Sequence, residues 1–120
     1  MAREPNYAAF TTFLPSGLPQ THMTWVGTDG EHFLINTEVH RQKFRNVQHD
    51  PRVTVMSRDE NDPYHYVEMR GEVVEKVRSP EAREHIDKLA HKYHGGPYEN
   101  SIQSEQVMLR IALLHQYISA

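Results

Sequence analysis

The chain has 120 residues, no cysteine and a formal net charge of −3. A chain this short buries only about two thirds of its unfolded surface, so residues 1–120 are predicted to form one domain with a modest core. The mixed charges create no basic field for nucleic acid or an anionic membrane, and the lack of cysteine excludes disulfides and thiolate metal sites. No apolar leader and no run of about 18 apolar residues occurs, so we expect a cytoplasmic protein without membrane contact.

The first third of the sequence predicts antiparallel strands. Residues 7–14 are aromatic, β-branched or small, and Pro15-Ser16-Gly17 then supplies a turn. Two further strands, at 20–27 and 31–36, flank Thr28-Asp29-Gly30, in which Asp-Gly is a strong hairpin signal. These three strands are expected to pair in meander order.

The middle of the chain combines a short helix with alternating strands. Thr37 is expected to cap the helix, which ends at Asp50-Pro51. Apolar and polar residues alternate over 52–58 and again over 64–77, where Gly71 is expected to mark a bend.

The last third predicts a second helix and a final strand. Ser79-Pro80-Glu81 is typical of a helix start, and Gly95-Gly96-Pro97 stops the helix. The apolar run 106–117 predicts a central or interface strand. Six strands and two short helices bury little as a flat sheet, so a mostly β fold, an antiparallel barrel of six strands, is favoured.

One cluster of residues has the chemistry of a phosphate site. Arg41, Lys43 and Arg45 place three cations within five residues, close to the predicted start of the first helix, where free N–H groups favour anions. The arginine fork can bind two phosphate oxygens and the lysine adds a compact charge. Asn36 and Thr37 can bind the remaining oxygens. A solvated basic helix face explains the same spacing equally well.

The sequence resembles the pyridoxamine 5′-phosphate oxidase-like split-barrel family, in particular its flavin/deazaflavin oxidoreductase branch. The resemblance is carried by the blocks PSGLPQ, TWVGTDGEHFLINT, NTEVHRQKFRNVQHDPRV and DPYHYVEMRGEVVE. It spans residues 7 to about 98. The combination of R-x-K-x-x-N-x-x-x-DPRV with Y-x-Y-V-x-M-R-G is far more specific than either pattern alone.

This resemblance implies a six-stranded split barrel, a homodimer and a cofactor in the groove between the subunits. It implies that Arg41 and Lys43 hold the cofactor phosphate and that Thr24 and Trp25 lie beside its ring. The residues expected to bind the cofactor are Thr24, Trp25, Asn36, Thr37, Arg41, Lys43 and Asn46.

The chain departs from the family pattern at two histidines near the expected groove. His22-Met23 stands where relatives carry a small hydroxyl residue and proline, and His40 stands where they carry glycine. A proton-transfer role for either histidine stays open beside a structural one. His85 and His91 point apart on the second helix, so no metal site is expected.

The function implied is an oxidoreductase that transfers a hydride between coenzyme F-420 and a small conjugated acceptor. The cofactor supplies the reactivity, and no side chain is assigned as acid or base. Arg45 and Arg58 favour F-420 over FMN, because cations beyond the clamp would attract its anionic tail. Two alternatives stay open: an FMN-binding, pyridoxamine-phosphate-oxidase-like flavoprotein, and a flavin- or deazaflavin-binding protein without turnover.

Overall fold

The computed structural model describes residues 7–96 and 104–119. Its elements are β1 (Ala8–Phe13), β2 (Pro19–Thr24), β3 (Gly27–Thr28), β4 (Phe33–Glu38), α1 (Gln42–His49), β5 (Arg52–Arg58), β6 (Tyr66–Arg78), α2 (Glu81–His94) and β7 (Gln106–Ser119). The mostly β fold, the six main strands and both helices are therefore confirmed. The two-residue strand β3 is an addition to the prediction. Residues 97–103, between α2 and β7, lie outside the described residues.

The strands form one curled antiparallel sheet in the order β2-β1-β5-β6-β7-β4-β3. The predicted meander of the first three strands is wrong, because β4 pairs with β3 and β7 rather than with β2. The hairpin signal at Asp29-Gly30 joins β3 to β4, and Gly30 has the positive φ of 96° that this turn needs. A turn signal acts locally, whereas the pairing of β4 with β7 depends on residues far along the chain.

The core lies inside the curled sheet. Burial alternates along β1 and β5, so Phe10 and Val55 point inward with Ile35 and Leu109. Helix α1 closes one end of this core with the buried Phe44 and Val47. Burying each large apolar side chain contributes roughly 1.5–3 kcal/mol before the entropy cost of ordering the chain.

Helix α2 packs on the outer face of the sheet. A second apolar cluster joins Ala82 of the helix to Leu34 of β4 and Met108 of β7. The helix begins after Pro80 and ends at Gly95, whose φ of 75° is left-handed. These boundaries agree with the prediction. Neither α1 nor α2, the helices of the described chain, is long and apolar enough to cross a membrane.

The predicted capping role of Thr37 is wrong. Thr37 and Glu38 belong to β4, where they pair with Val107 and Gln106 of β7. These ladder contacts extend the strand past the expected helix start, and Arg41 occupies the N-cap position instead. The helix ends before Asp50, as expected.

The expected irregularity at Gly71 is present. The β6–β7 register shifts between Arg70 and Gly71, and a Cβ on this glycine would collide with the backbone oxygen of Ala112. Only glycine fits this close approach of two backbones.

Candidate active site

The predicted site residues come together at one cavity of about 360 Å³, which we call the Arg41 cavity. It lies between β2, β4, α2 and the segment that begins α1. Six of the seven expected cofactor-binding residues line it, namely Thr24, Trp25, Asn36, Thr37, Arg41 and Lys43. The cavity is built by the β4–β7 pairing, which brings the end of β4 beside α2.

Asn46 is the residue that the structure does not bring to this cavity. Its side chain is fully buried and donates hydrogen bonds to Thr12 Oγ1 at 2.9 Å and Gln20 Oε1 at 3.1 Å. Its carbonyl oxygen accepts from Gln42 Nε2 at 2.7 Å. These contacts fasten α1 to β1 and β2, and so they hold the start of the helix in place.

The floor of the cavity carries two cations close together. Burial lowers the pKa of the Lys43 ammonium, and the charge of Arg41 lowers it further. No described residue gives Lys43 a hydrogen bond or an ion pair. The Arg41 guanidinium is half-exposed and lies 3.8 Å from Glu38 Oε2. A partly buried ammonium without a partner attracts an anion.

Glu38 is a site residue that the sequence reasoning missed. Its carboxylate lines the cavity with only 3% of the side chain exposed. The backbone N–H of Ser104 donates to Oε1 at 2.8 Å, and Val39 N donates to Glu105 O at 3.0 Å. These bonds attach residues 104 and 105 to the turn before Arg41. Glu38 follows the predicted site residues Asn36 and Thr37 directly in the sequence, and this position could have indicated its role.

Asn36 presents an unusual hydrogen-bond pattern. Its Nδ2 donates to the carbonyl oxygen of Ala82 at 2.7 Å and lies 3.1 Å from His85 Nδ1. Its Oδ1 is buried and has no partner among the described residues. The side chain is 8% exposed and lines the cavity.

Aromatic rings form one wall of the cavity. The Trp25 ring stacks on Tyr93 of α2 with centroids 5.1 Å apart and an interplanar angle of 10°. Tyr7 leans on Tyr93 at 5.2 Å, and both Tyr7 and Trp25 line the cavity. The Tyr93 hydroxyl accepts from Val26 N at 3.2 Å. Tyr93 was not among the residues predicted for the site.

The two histidines that depart from the family pattern lie close to this site. Burial lowers the pKa of His22, and the charges of Lys43 and Arg41 lower it further, so its imidazole lies within their field. His40 Nδ1 lies 2.6 Å from Ser104 Oγ. Neither histidine lines the cavity.

Arg45 and Arg58 do not line the Arg41 cavity. Arg45 donates to Gln42 Oε1 at 2.9 Å, and Arg58 donates to the carbonyl oxygens of Asp59 and Glu60. Each guanidinium is bound within its own helix or loop. The argument for F-420 from these two charges stays a prediction.

A second cavity, of about 520 Å³, lies between α2 and β3. His85, Lys88 and Lys92 of α2 line it together with Gly27 and Thr28. Burial lowers the pKa of His85 to about 4, with further lowering by the charges of Lys88, Lys92 and Arg110. Within residues 7–96 and 104–119, no group of three or more histidine or acidic side chains could hold a metal ion.

The described chain thus combines a curled antiparallel sheet with a cavity that has an aromatic wall and a pair of cations. The family model described as "Pyridoxamine 5'-phosphate oxidase" matches residues 1–116. The chain therefore belongs to the pyridoxamine 5′-phosphate oxidase-like split-barrel family, a family of flavin-related oxidoreductases.

Solved structures share this fold over nearly the whole chain. An F420 reductase is 29% identical, with a TM-score of 0.85 over 97% of this chain and 92% of that one. A conserved hypothetical protein from Mycobacterium tuberculosis is 25% identical, with a TM-score of 0.74 over 92% of this chain and 74% of that one. A putative pyridoxamine 5′-phosphate oxidase from Listeria innocua, 15% identical, shares the fold with a TM-score of 0.71 over 93% and 86% of the two chains. A comparison with curated proteins found no match.

Proposed function

We propose that the chain is an F-420-dependent oxidoreductase that uses the Arg41 cavity to hold the deazaflavin cofactor. The observation that carries this proposal is the convergence of Arg41, Lys43 and the Trp25 wall on one cavity. Similarity to an F420 reductase over nearly the full length of both chains supports the choice of cofactor.

The donor set of the cavity fits a phosphate-bearing flavin or deazaflavin. Lys43 offers a partly buried ammonium and Arg41 offers a planar fork, and both match a phosphate group. The Trp25 and Tyr7 rings offer an apolar surface for a flat ring system. Asn36 Oδ1 offers an acceptor that lacks a partner among the described residues.

In this proposal the protein binds and orients while the cofactor supplies the hydride-carrying ring. Arg41 and Lys43 hold the phosphate and so fix the position of the ring along the cavity. Trp25, braced by Tyr93, covers one side of the ring and excludes water from it. We assign no side chain as a catalytic acid or base, and the acceptor is a small conjugated molecule.

FMN is the second candidate cofactor. FMN and F-420 share a ribityl phosphate, so the cation pair serves both equally. The family match favours FMN as much as F-420. Arg45 and Arg58 donate hydrogen bonds within their own helix and loop. A binding protein without turnover is the third candidate and uses the same cavity.

Parallel titrations distinguish these candidates. We expect F-420 to quench the fluorescence of the stacked Trp25 with a lower Kd than FMN at both low and high salt. Tighter FMN binding at both salt concentrations would make the chain an FMN protein. Binding of either cofactor without reduction of any conjugated acceptor in anaerobic assays would support the carrier function.

We also propose that two copies of the chain form a homodimer through the far half of β7. Val107, Leu109 and Ile111 are buried in the chain's own core, so the first half of this strand is not free for a partner. Beyond Ile111, β7 pairs with β6 alone among the described strands, which leaves one edge open.

The open half of this strand is also apolar. Leu114, Tyr117 and Ile118 are 66%, 53% and 58% exposed. An open strand edge with exposed apolar side chains is a surface that proteins normally cover. A second copy covers it in this proposal, in keeping with the dimer that the family resemblance implies.

A further inference from the structure

Two contacts leave no ambiguity in the orientation of the Asn36 side chain. The backbone oxygen of Ala82 only accepts hydrogen bonds, so the atom 2.7 Å from it must be the donor Nδ2. The same Nδ2 lies 3.1 Å from His85 Nδ1. Both hydrogens of the amide are therefore used on α2, and Oδ1, a buried atom, is left without a partner among the described residues.

The same contact determines the tautomer of His85. Because Asn36 Nδ2 can only donate, His85 Nδ1 must accept, and the ring proton of a neutral imidazole then lies on Nε2. Burial and the charges of Lys88, Lys92 and Arg110 keep this ring neutral, with a pKa of about 4. A protonated ring would carry a hydrogen on Nδ1 and would repel the amide.

The imidazole lies beside Gly27, and both residues line the second cavity. Gly27 of β3 packs against its far side, where an added Cβ would lie 3.5 Å from Nε2 and 3.3 Å from Leu89 Cδ2. The ring therefore lies between the backbone of Gly27 and helix α2. An orphaned buried acceptor such as Asn36 Oδ1 has a free-energy cost that a ligand donor removes.

We propose that His85 is a positioning residue for cofactor binding: it locks the Asn36 amide so that Oδ1 accepts a hydrogen bond from an N–H or O–H group of the bound flavin or deazaflavin. This inference rests on the proposed function of the Arg41 cavity. It also concerns ligand specificity, because a ligand that presents only a hydrogen-bond acceptor to Asn36 Oδ1 is rejected. His85 does not line the Arg41 cavity and acts on the ligand only through Asn36.

The test measures FMN and F-420 affinity for four variants. His85→Leu removes the acceptor for Nδ2, and Asn36→Leu removes the whole amide; each is expected to weaken binding of the preferred cofactor about tenfold, the effect of one hydrogen bond. His85→Gln supplies another acceptor and is expected to stay within about threefold of the wild type. His91→Leu, on the exposed face of the same helix, is the matched control and should change nothing.

The double variant separates positioning from general damage to the fold. If His85 acts through Asn36, adding His85→Leu to Asn36→Leu should cause no further loss of affinity. Inorganic phosphate, which probes the cation pair alone, should bind both single variants as it binds the wild type. Additive losses in the double variant, or weaker phosphate binding by His85→Leu, would mean a structural role and overturn the proposal.

A spectroscopic readout needs no ligand. Nitrogen-15 NMR of His85 should show an unprotonated Nδ1 and a protonated Nε2 from pH 5.5 to 8, and the opposite tautomer would overturn the inference. If His85→Leu binds its preferred cofactor with wild-type affinity, this inference is wrong and the proposed function is unaffected. Failure of the wild type to bind either cofactor would refute both.

Discussion

Replacing Lys43 by methionine should weaken ligand binding and at the same time stabilise the empty protein. The side chain lines the Arg41 cavity, and burial followed by the charge of Arg41 lowers its pKa below the ordinary 10.5. The same charge that attracts a phosphate therefore opposes folding when no anion is present. Methionine keeps the length of the chain and removes the charge.

The loss of affinity can be estimated from a single contact. A hydrogen bond to a charged group contributes about 1.5–3 kcal/mol. At about 1.4 kcal/mol per factor of ten, this predicts FMN and F-420 dissociation constants roughly 10 to 150 times larger in Lys43→Met. Arg45→Met is the matched control, because Arg45 is bonded to Gln42 outside the cavity.

The stability change has a defined dependence on pH. Between the lowered pKa of Lys43 and 10.5, the unfolded chain binds more protons than the folded one, so wild-type stability rises with pH in that window. Lys43→Met should lack this rise and should be more stable than the wild type at pH 7. Guanidinium unfolding at several pH values measures both effects.

One combination of results would refute this reasoning. If Lys43→Met binds FMN, F-420 and inorganic phosphate as the wild type does, Lys43 is not part of an anion site. A variant that is also less stable than the wild type at pH 7 would show that the Lys43 ammonium has a stabilising partner.

Three further outcomes are expected. The chain should have a mass near 28 kDa by light scattering, twice the 14.0 kDa of one copy, and Leu114→Glu with Ile118→Glu should shift it to the monomer; a monomeric wild type at micromolar concentration would exclude the proposed dimer. The pKa of His85 is lowered from 6.5 to about 4, so the unfolded chain binds a proton at this histidine at a higher pH than the folded chain does. Stability should therefore fall by up to about 3 kcal/mol as the pH falls from 6.5 to 4. In acid unfolding, His85→Gln should show a weaker dependence of stability on pH. Gly71→Ala should cost about 1–3 kcal/mol in denaturant unfolding, because its Cβ meets the backbone oxygen of Ala112, and an unchanged midpoint would show that the two strands can separate there.

Several features of the fold could be predicted because their causes are local. Aromatic and β-branched residues predicted the strand around Phe10, and alternation of apolar residues predicted the strand around Val55. Ser79-Pro80 with Gly95 predicted the limits of α2. The start of α1 was misplaced at Thr37, because the competing interaction is a ladder contact with Val107 on a distant strand. No window of neighbouring residues contains that information.

The candidate site divides in the same way. Arg41 and Lys43 are two residues apart, so their shared role as an anion site could be proposed from the sequence by itself, and the family resemblance added Thr24 and Trp25. The burial of Glu38 beside Arg41 follows instead from the curl of the sheet, which brings residues 104 and 105 onto the turn before Arg41.

The sequence by itself therefore determined which segments are strands and helices, and which cations stand together, since both depend on neighbours along the chain. Only the tertiary structure decided that β4 pairs with β7, that Tyr93 supports Trp25, and that His85 orients Asn36. Each of these contacts joins residues far apart in sequence. Their geometry depends on how α2 packs on the outside of the sheet, which no local pattern specifies.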